Sequence, residues 1–309
     1  MKVFRSLDDI QNIKETVVAL GNFDGIHVGH QELIRRAVKS ARITGMKSAV
    51  FTFNNHPKNV VAGKRVIKNI MYYDEKVEMM KKMGIDYLFS IDFDYHISHT
   101  SPEDFVTDIL MDKLKMKEAY CGFNYRFGYQ AKGDTDLLMK MGRRRGFSRH
   151  VIDPVKVKGQ VVSSTLIREL IAEGKVDEVR LMLGRNYSIG GEVVKGNMIG
   201  RTIGFPTSNI LIDEAMVTPS NGVYITLCDY NFKQYEGVTN VGIKPTIGDN
   251  KRVIETHIFD FNKDIYGRMI KVEFIKKIRD EMKFPSVDEL AEQIQRDCQT
   301  ARDYHEEEE

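Results

Sequence analysis

Cysteine is scarce in this chain. Cys121, Cys228 and Cys298 are the only three in 309 residues, and no two stand at C-x-x-C spacing. That excludes a disulfide framework and a thiolate zinc cluster, and predicts three reduced thiols. A surplus of charge is also missing: 46 Lys and Arg against 44 Asp and Glu leave a formal charge of +2. The near balance gives no support to extended nucleic-acid binding or to docking on a membrane surface. No apolar run approaches the ~20 residues needed to cross a bilayer, and the first residues carry no hydrophobic signal segment, so a cytoplasmic protein is expected. Internal repeats and low-complexity linkers are absent. What the chain does have is 309 residues, 42% of them hydrophobic, enough for two domains with cores of their own.

The most informative stretch is Gly21-Asn22-Phe23-Asp24-Gly25-Ile26-His27-Val28-Gly29-His30. Thr16-Val17-Val18-Ala19-Leu20 before it reads as a buried strand, and Leu33, Ile34, Ala37, Val38 and Ala41 after it recur at helical spacing. The motif is therefore a strand-to-helix turn. Its glycines let the backbone approach a ligand closely, and the helix start offers unpaired N–H groups to an anion. His27 and His30, three apart, face the same space and can donate hydrogen bonds to phosphate oxygens. On its own such a pair also fits a helix cap, a packed core or two metal ligands.

Strand-like and helix-like segments then alternate, as a parallel sheet with crossover helices requires. Strands are predicted at 48–53, 87–91, 119–121 and 150–152, and helices at 74–83, 102–114 and 135–144. Ligands of such sheets bind beyond the carboxyl ends of the strands. That makes Asn54-Asn55-His56-Pro57 and Gly122-Phe123-Asn124-Tyr125-Arg126-Phe127-Gly128 candidate loops. Arg143-Arg144-Arg145 falls at a predicted helix end, where cations suit the dipole, and reads as solvated structure. In Val162-Ser163-Ser164-Thr165-Leu166-Ile167-Arg168 three hydroxyls cap a helix start and an arginine follows one turn in, a setting for a triphosphate or simply an ordinary cap.

After Gly184 the helical periodicity stops. Short β-rich runs such as 223–227 and 253–259, separated by turn residues, predict a small barrel. The stretch 190–209 contains Gly190, Gly191, Gly196, Gly200 and Gly204, too many for strand interiors, and predicts a loop folded closely over phosphates. Thr207 and Asn209, two apart at a strand start, face one side and Ser208 the other. A hydroxyl and an amide oxygen together suit a hard cation such as magnesium carrying ATP phosphates. The tail, 286–304, has Val287, Leu290, Ala291, Ile294 and Cys298 at helical spacing and must pack on something, the barrel being the obvious support.

These segments resemble a known family. GNFDGIHVGH is similar to the HxGH motif of nucleotidyltransferases and looks most like the adenylyltransferase module of prokaryotic bifunctional riboflavin kinase/FAD synthetases. VSSTLIR resembles that family's ISSTxIR element, the loops at 54–57 and 122–128 its FxPHP and GxxFxFG turns, and GRTIGFPTSN the riboflavin kinase PTAN element. Asn55 stands where the family commonly has proline, which predicts a looser loop, and Ser208 replaces an alanine. The resemblance implies a Rossmann-like α/β domain over 1–183 and a β-barrel kinase domain with a terminal helix over 184–309. It implies nucleotide contacts from Gly21, Asn22, Phe23, Asp24, Gly25, Ser163, Ser164 and Thr165 in the first domain and from Gly190, Gly196, Gly200 and Gly204 in the second. It further implies catalysis by His27, His30 and Arg168, flavin contacts at Asn124 and His56, and a catalytic glutamate at Glu255. ATP and magnesium would serve both sites, with riboflavin, FMN and FAD as substrates and products. A kinase without the second activity, or a flavin- or nucleotide-binding regulator without turnover, are the alternatives.

Overall fold

The computed structural model describes residues 1–196, 200, 203–244 and 251–308. Asn197, Met198, Ile199, Arg201 and Thr202 of the glycine-rich stretch lie outside the described residues. Contacts divide the chain into two compact units, Met1–Ser164 and Thr165–Glu309.

In the first unit, strands β1 (Lys2–Phe4), β2 (Thr16–Leu20), β3 (Lys47–Phe53), β4 (Tyr87–Ile91), β5 (Met116–Gly122) and β6 (Ser148–Ile152) form one sheet in the order β1-β4-β3-β2-β5-β6. Each neighbouring pair is parallel. The central strand β2 is buried along its whole length, as a strand covered on both faces must be. Val18 and Leu20 pack on one face with Phe51, Phe89 and Phe105, while Val17 and Ala19 pack on the other with helix α1 (Val28–Thr44). Helix α1 buries Leu33, Ile34, Ala37, Val38 and Ala41, the five residues expected from spacing, and ends on Gly45 at φ 70°.

The chain runs from β2 through α1 to β3 on one side and places β5 on the other. The order reverses between β2 and β5, so a crevice opens where their carboxyl ends meet. Gly21 follows the first of these strands and Gly122 ends the second. This unit also has the α-helices α2 (Pro57–Val61), α3 (Tyr73–Lys82), α4 (Tyr95–His99), α5 (Pro102–Asp104) and α6 (Thr135–Arg145). The helix expected at 102–114 is α-helical only in its first turn. Over Phe105–Lys113 it widens to a π-helix, with the Leu114 amide bonded to the Ile109 carbonyl at 3.0 Å, and it buries Phe105, Val106, Ile109 and Leu110. The three arginines end α6 in solvent, as expected. A two-residue hairpin, β7 (Lys156–Val157) with β8 (Gln160–Val161), precedes α7 (Ser164–Glu173).

The second unit adds α8 (Val176–Leu183) and a closed antiparallel barrel of β9 (Tyr187–Val194), β10 (Ser208–Leu211), β11 (Gly222–Tyr230), β12 (Lys233–Lys244), β13 (Lys251–Ile258) and β14 (Met269–Arg279). The barrel interior carries a ladder of buried hydroxyls: Thr226 meets Thr239 at 2.8 Å, and Thr239 meets Thr256 at 2.9 Å. The terminal helix α9 (Val287–Glu308) closes the outside of β11 and β12 through Ile294, Cys298, Ala301 and Tyr304. Packing begins a turn later than expected, because Val287 is exposed. Buried Asp297 of this helix is held by Arg279 at 2.7 Å and by Gln293 at 2.9 Å. All three cysteines are buried and free, and burial pushes the thiols up to about 11 for Cys121 and Cys298 and about 12 for Cys228.

Candidate active sites

The turn after β2 is strained by design. Phe23 and Ile26 take φ of 49° and 37°, unusual for residues with side chains, and both are fully buried. Between them Gly25 has φ 78°, and a Cβ there would come within 2.9 Å of Ile70 Cγ2. The same Ile70 donates its amide to the Asp24 carboxylate at 3.0 and 3.2 Å. The loop is thus clamped to the chain leading into α3. His27 caps α1, its Nδ1 accepting from the His30 amide at 3.2 Å. The neutral His27 ring must then carry its proton on Nε2, where it is a donor. The two imidazoles stack with centroids 3.6 Å apart, and Phe23 leans on His30 at 5.1 Å. The Nδ1 of His30 is buried without a hydrogen-bond partner. Burial, then the charges of His27 and Lys76, push the His30 pKa well below the usual histidine range.

A cleft beside this turn is lined by Asn22, Asp24, Asn54, His56, Tyr73 and Lys76, which brings Asn22, Asp24 and His56 together. His56 also caps α2 through its Nδ1 at 3.2 Å from the Lys58 amide. The looser loop expected from Asn55 is not found. Its amide donates to the Phe93 carbonyl at 3.2 Å and accepts from the Phe93 amide at 2.7 Å, so the side chain ties the loop where a proline ring could not. Asn124 is exposed just beyond the end of β5. Ser164 donates to the Asp24 carbonyl at 2.9 Å, which brings the hydroxyl-rich element onto the histidine turn. Ser163 is partly buried and Thr165 exposed, and Arg168 lies partly buried in α7.

In the barrel, Asn209 is buried and pairs across β10 and β13 with Glu255, which in turn pairs across β13 and β12 with Asn240. Directly opposed residues put their side chains on one face, so the candidate base stands next to the candidate metal ligand in a polar row. Ser208 is opposite buried Thr256 on the other face, as alternation predicts. Thr207 is partly buried one residue before β10, and its carbonyl accepts from Asn209 Nδ2 at 3.5 Å. A Cβ on Gly196 would come within 2.7 Å of the Asn209 amide, and one on Gly200 would strike the Phe205 carbonyl. Of the glycine-rich loop, Gly196 and Gly200 thus admit no side chain against Asn209 and the Phe205 carbonyl, and Gly204 takes φ 87°. The loop starts later than expected: Gly190 and Gly191 are inside β9, paired with Lys271 and Ile270. Closing the barrel through β9 takes up those glycines, since a Cβ at Gly191 would meet Ile210 and the Leu211 carbonyl at 3.3 Å.

Several residues were not legible as site residues. Lys76 and Tyr73 look like ordinary helix positions. Asn240 looks like an ordinary strand position. His257 donates through Nδ1 to the Pro206 carbonyl at 2.8 Å and meets the Phe205 ring edge-on at 5.6 Å, which pins the loop before Thr207 to β13. Its pKa is lowered by burial. Among the described residues no three His, Cys, Asp or Glu side chains cluster as metal ligands. The donors at Thr207 and Asn209 are oxygens, the type a hard cation takes alongside phosphate.

A family model for FAD synthetase matches residues 9–166, and one for riboflavin kinase matches residues 183–305. The bifunctional riboflavin kinase/FMN adenylyltransferase of Buchnera aphidicola subsp. Acyrthosiphon pisum is 34% identical over 308 residues, 98% of each chain. The protein of that name from Bacillus subtilis is 34% identical over 94% of this chain and 92% of its own, and that from Escherichia coli K12 is 33% identical over 98% of both. A Streptococcus pneumoniae crystal structure described as a macrolide-efflux protein superposes with a TM-score of 0.88 at 34% identity, covering 97% of this chain and 98% of its own. No helix among the described residues here is long and apolar enough to cross a membrane.

Proposed function

The chain belongs to the bifunctional riboflavin kinase/FMN adenylyltransferase family, and from the geometry of its two motif regions we propose how its residues share the two reactions. Riboflavin and ATP give FMN and ADP in the C-terminal domain; FMN and a second ATP give FAD and pyrophosphate in the N-terminal one. We assign the functional domains to 1–183 and 184–309, in a cytoplasmic enzyme.

In FAD formation an FMN phosphate oxygen bonds to the α-phosphorus of ATP as the bond to the β-phosphate bridge breaks. The nucleophile is already ionised, so positioning and charge stabilisation carry the step. The observation that carries the reading is the stacked His27–His30 pair at the start of α1. One ring presents an Nε2 donor and the other a buried, unpartnered Nδ1. His27, His30 and the backbone N–H groups of the first turn face the phosphates, Gly21 to Gly25 and Ser163 to Thr165 shape their seat, and Arg168 offsets the developing charge. His56 and Asn124 contact the flavin.

In the kinase step Glu255 orients the riboflavin hydroxyl and takes its proton as that oxygen bonds to the γ-phosphorus and ADP departs. Thr207 and Asn209 would hold magnesium by their oxygens. When bound, that ion neutralises phosphate charge. Gly196, Gly200 and Gly204 line the nucleotide loop, and Gly190 contributes backbone from β9. Incubating the protein with riboflavin, ATP and magnesium and resolving the products should show FMN and then FAD. FMN that accumulates without conversion would overturn the N-terminal assignment, and no FMN at all the C-terminal one.

A further inference from the structure

Lys76 occupies an unexpected place for a lysine. It lies in the first turn of α3, behind Asp74 and Glu75, where the helix dipole favours anions and disfavours a cation. It is only 8% exposed, and burying an ammonium is unfavourable unless partners compensate. Its Nζ donates to the Asn22 carbonyl at 3.3 Å, a carbonyl that also accepts from Thr52 Oγ1 at 2.9 Å. A single long bond to a shared acceptor is weak compensation for an ammonium with three donors. Burial lowers its pKa, opposed by the charge of Asp24.

The surroundings have spare capacity of the same kind. Tyr73 lines the same cleft, and its Oη is buried without a hydrogen-bond partner. His30 Nδ1 is likewise buried and unpartnered, and it is close enough to feel the charge of Lys76. A buried cation and an unpaired hydroxyl line the cleft beside the turn that starts α1, and His30 of that turn carries a second unpaired atom. Such a constellation breaks local rules without a structural gain, which marks a ligand site.

We propose that Lys76 binds the β- and γ-phosphates of ATP in the adenylyl-transfer site and holds the pyrophosphate as it departs. The proposal rests on the N-terminal domain being the FAD-forming one. A charge-assisted contact to phosphate is among the stronger hydrogen bonds, so its loss should weaken polyphosphate binding about tenfold or more. Two full-length variants test it. Lys76→Met removes the charge and the bond to Asn22, while Lys76→Gln removes the charge and keeps a donor, one bond shorter, directed at Asn22.

Both variants should bind inorganic pyrophosphate at least about tenfold more weakly by calorimetric titration and raise the KM for ATP in FAD formation to a similar extent. Kinase turnover should stay at the wild-type level. Without ligand, Lys76→Met should melt no lower than the wild type, because a buried charge is replaced by a side chain of similar shape. If Lys76→Gln keeps wild-type pyrophosphate affinity and KM, the lysine serves only as a tie to Asn22 and the proposal is overturned. A wild-type protein that forms no FAD would fail the underlying assignment instead, and the pyrophosphate titration would still decide the role of Lys76.

Discussion

His30 is held in its uncharged form by burial and by the charges of His27 and Lys76, and this has a pH signature. Its folded pKa lies well below the ordinary histidine value of about 6.5, so below about that pH the unfolded chain binds more protons than the folded one. The stability due to His30 is fully present above the unfolded pKa and is lost as pH falls from there toward the folded value. Melting temperatures measured from pH 8 to pH 5 should fall less steeply for His30→Gln than for the wild type. Parallel curves would mean that the ring titrates normally. In FAD formation His30→Ala should lower the rate about 10²-fold, the scale for loss of one preorganised donor, with kinase turnover intact. His30 was readable because it sits in a ten-residue motif whose glycines and flanking strand and helix point the same way. Lys76 was not, because its burial depends on the fold of 22–24 against α3, and one lysine in a helical pattern carries no trace of that. The role of Asn55 was hidden similarly: its partner Phe93 is 38 residues away.

Elements were legible where periodicity was long. The strand expected at 87–91 matches β4, that at 48–53 falls within β3, and α1 buries the five residues its spacing selects. Strand β1, three residues long, and the β7–β8 hairpin have too few residues for any period to register. The π-helix at Phe105–Lys113 shares the apolar content of an α-helix, so composition could not separate them. Turn conformation was legible only where glycine marks it, and at Gly25 the mark is exact enough to test. Gly25→Ala must place a Cβ at φ 78° and within 2.9 Å of Ile70. Such a change should cost about 1–3 kcal/mol and loosen the Asp24–Ile70 clamp. Urea denaturation should show a lower midpoint with FAD formation impaired beyond the loss of folded protein. An unchanged midpoint would mean that the turn is not strained against Ile70.

At the scale of the molecule, the change of character near residue 184 located the barrel. The contact boundary falls earlier, after Ser164, because α8 buries Val176, Val179, Met182 and Leu183 and packs on β14 and β9. The amphipathic pattern of α8 says that it must pack, but not on which neighbour, so sequence alone could not assign it to the barrel. Wherever the functional boundary lies, Glu255 is in one compact unit and His30 in the other, and this gives the two activities separate fates. Glu255→Gln keeps the shape and polarity of a strand residue opposite Asn209 and Asn240 while removing the acceptor for the hydroxyl proton. FMN formation should fall by about 10²-fold or more, the range for a positioned general base, whereas conversion of supplied FMN to FAD should proceed at the wild-type rate. Assaying both steps on one preparation, with its melting temperature, separates chemistry from folding. Equal loss of the two activities in a folded Glu255→Gln protein would show that the sites are not independent.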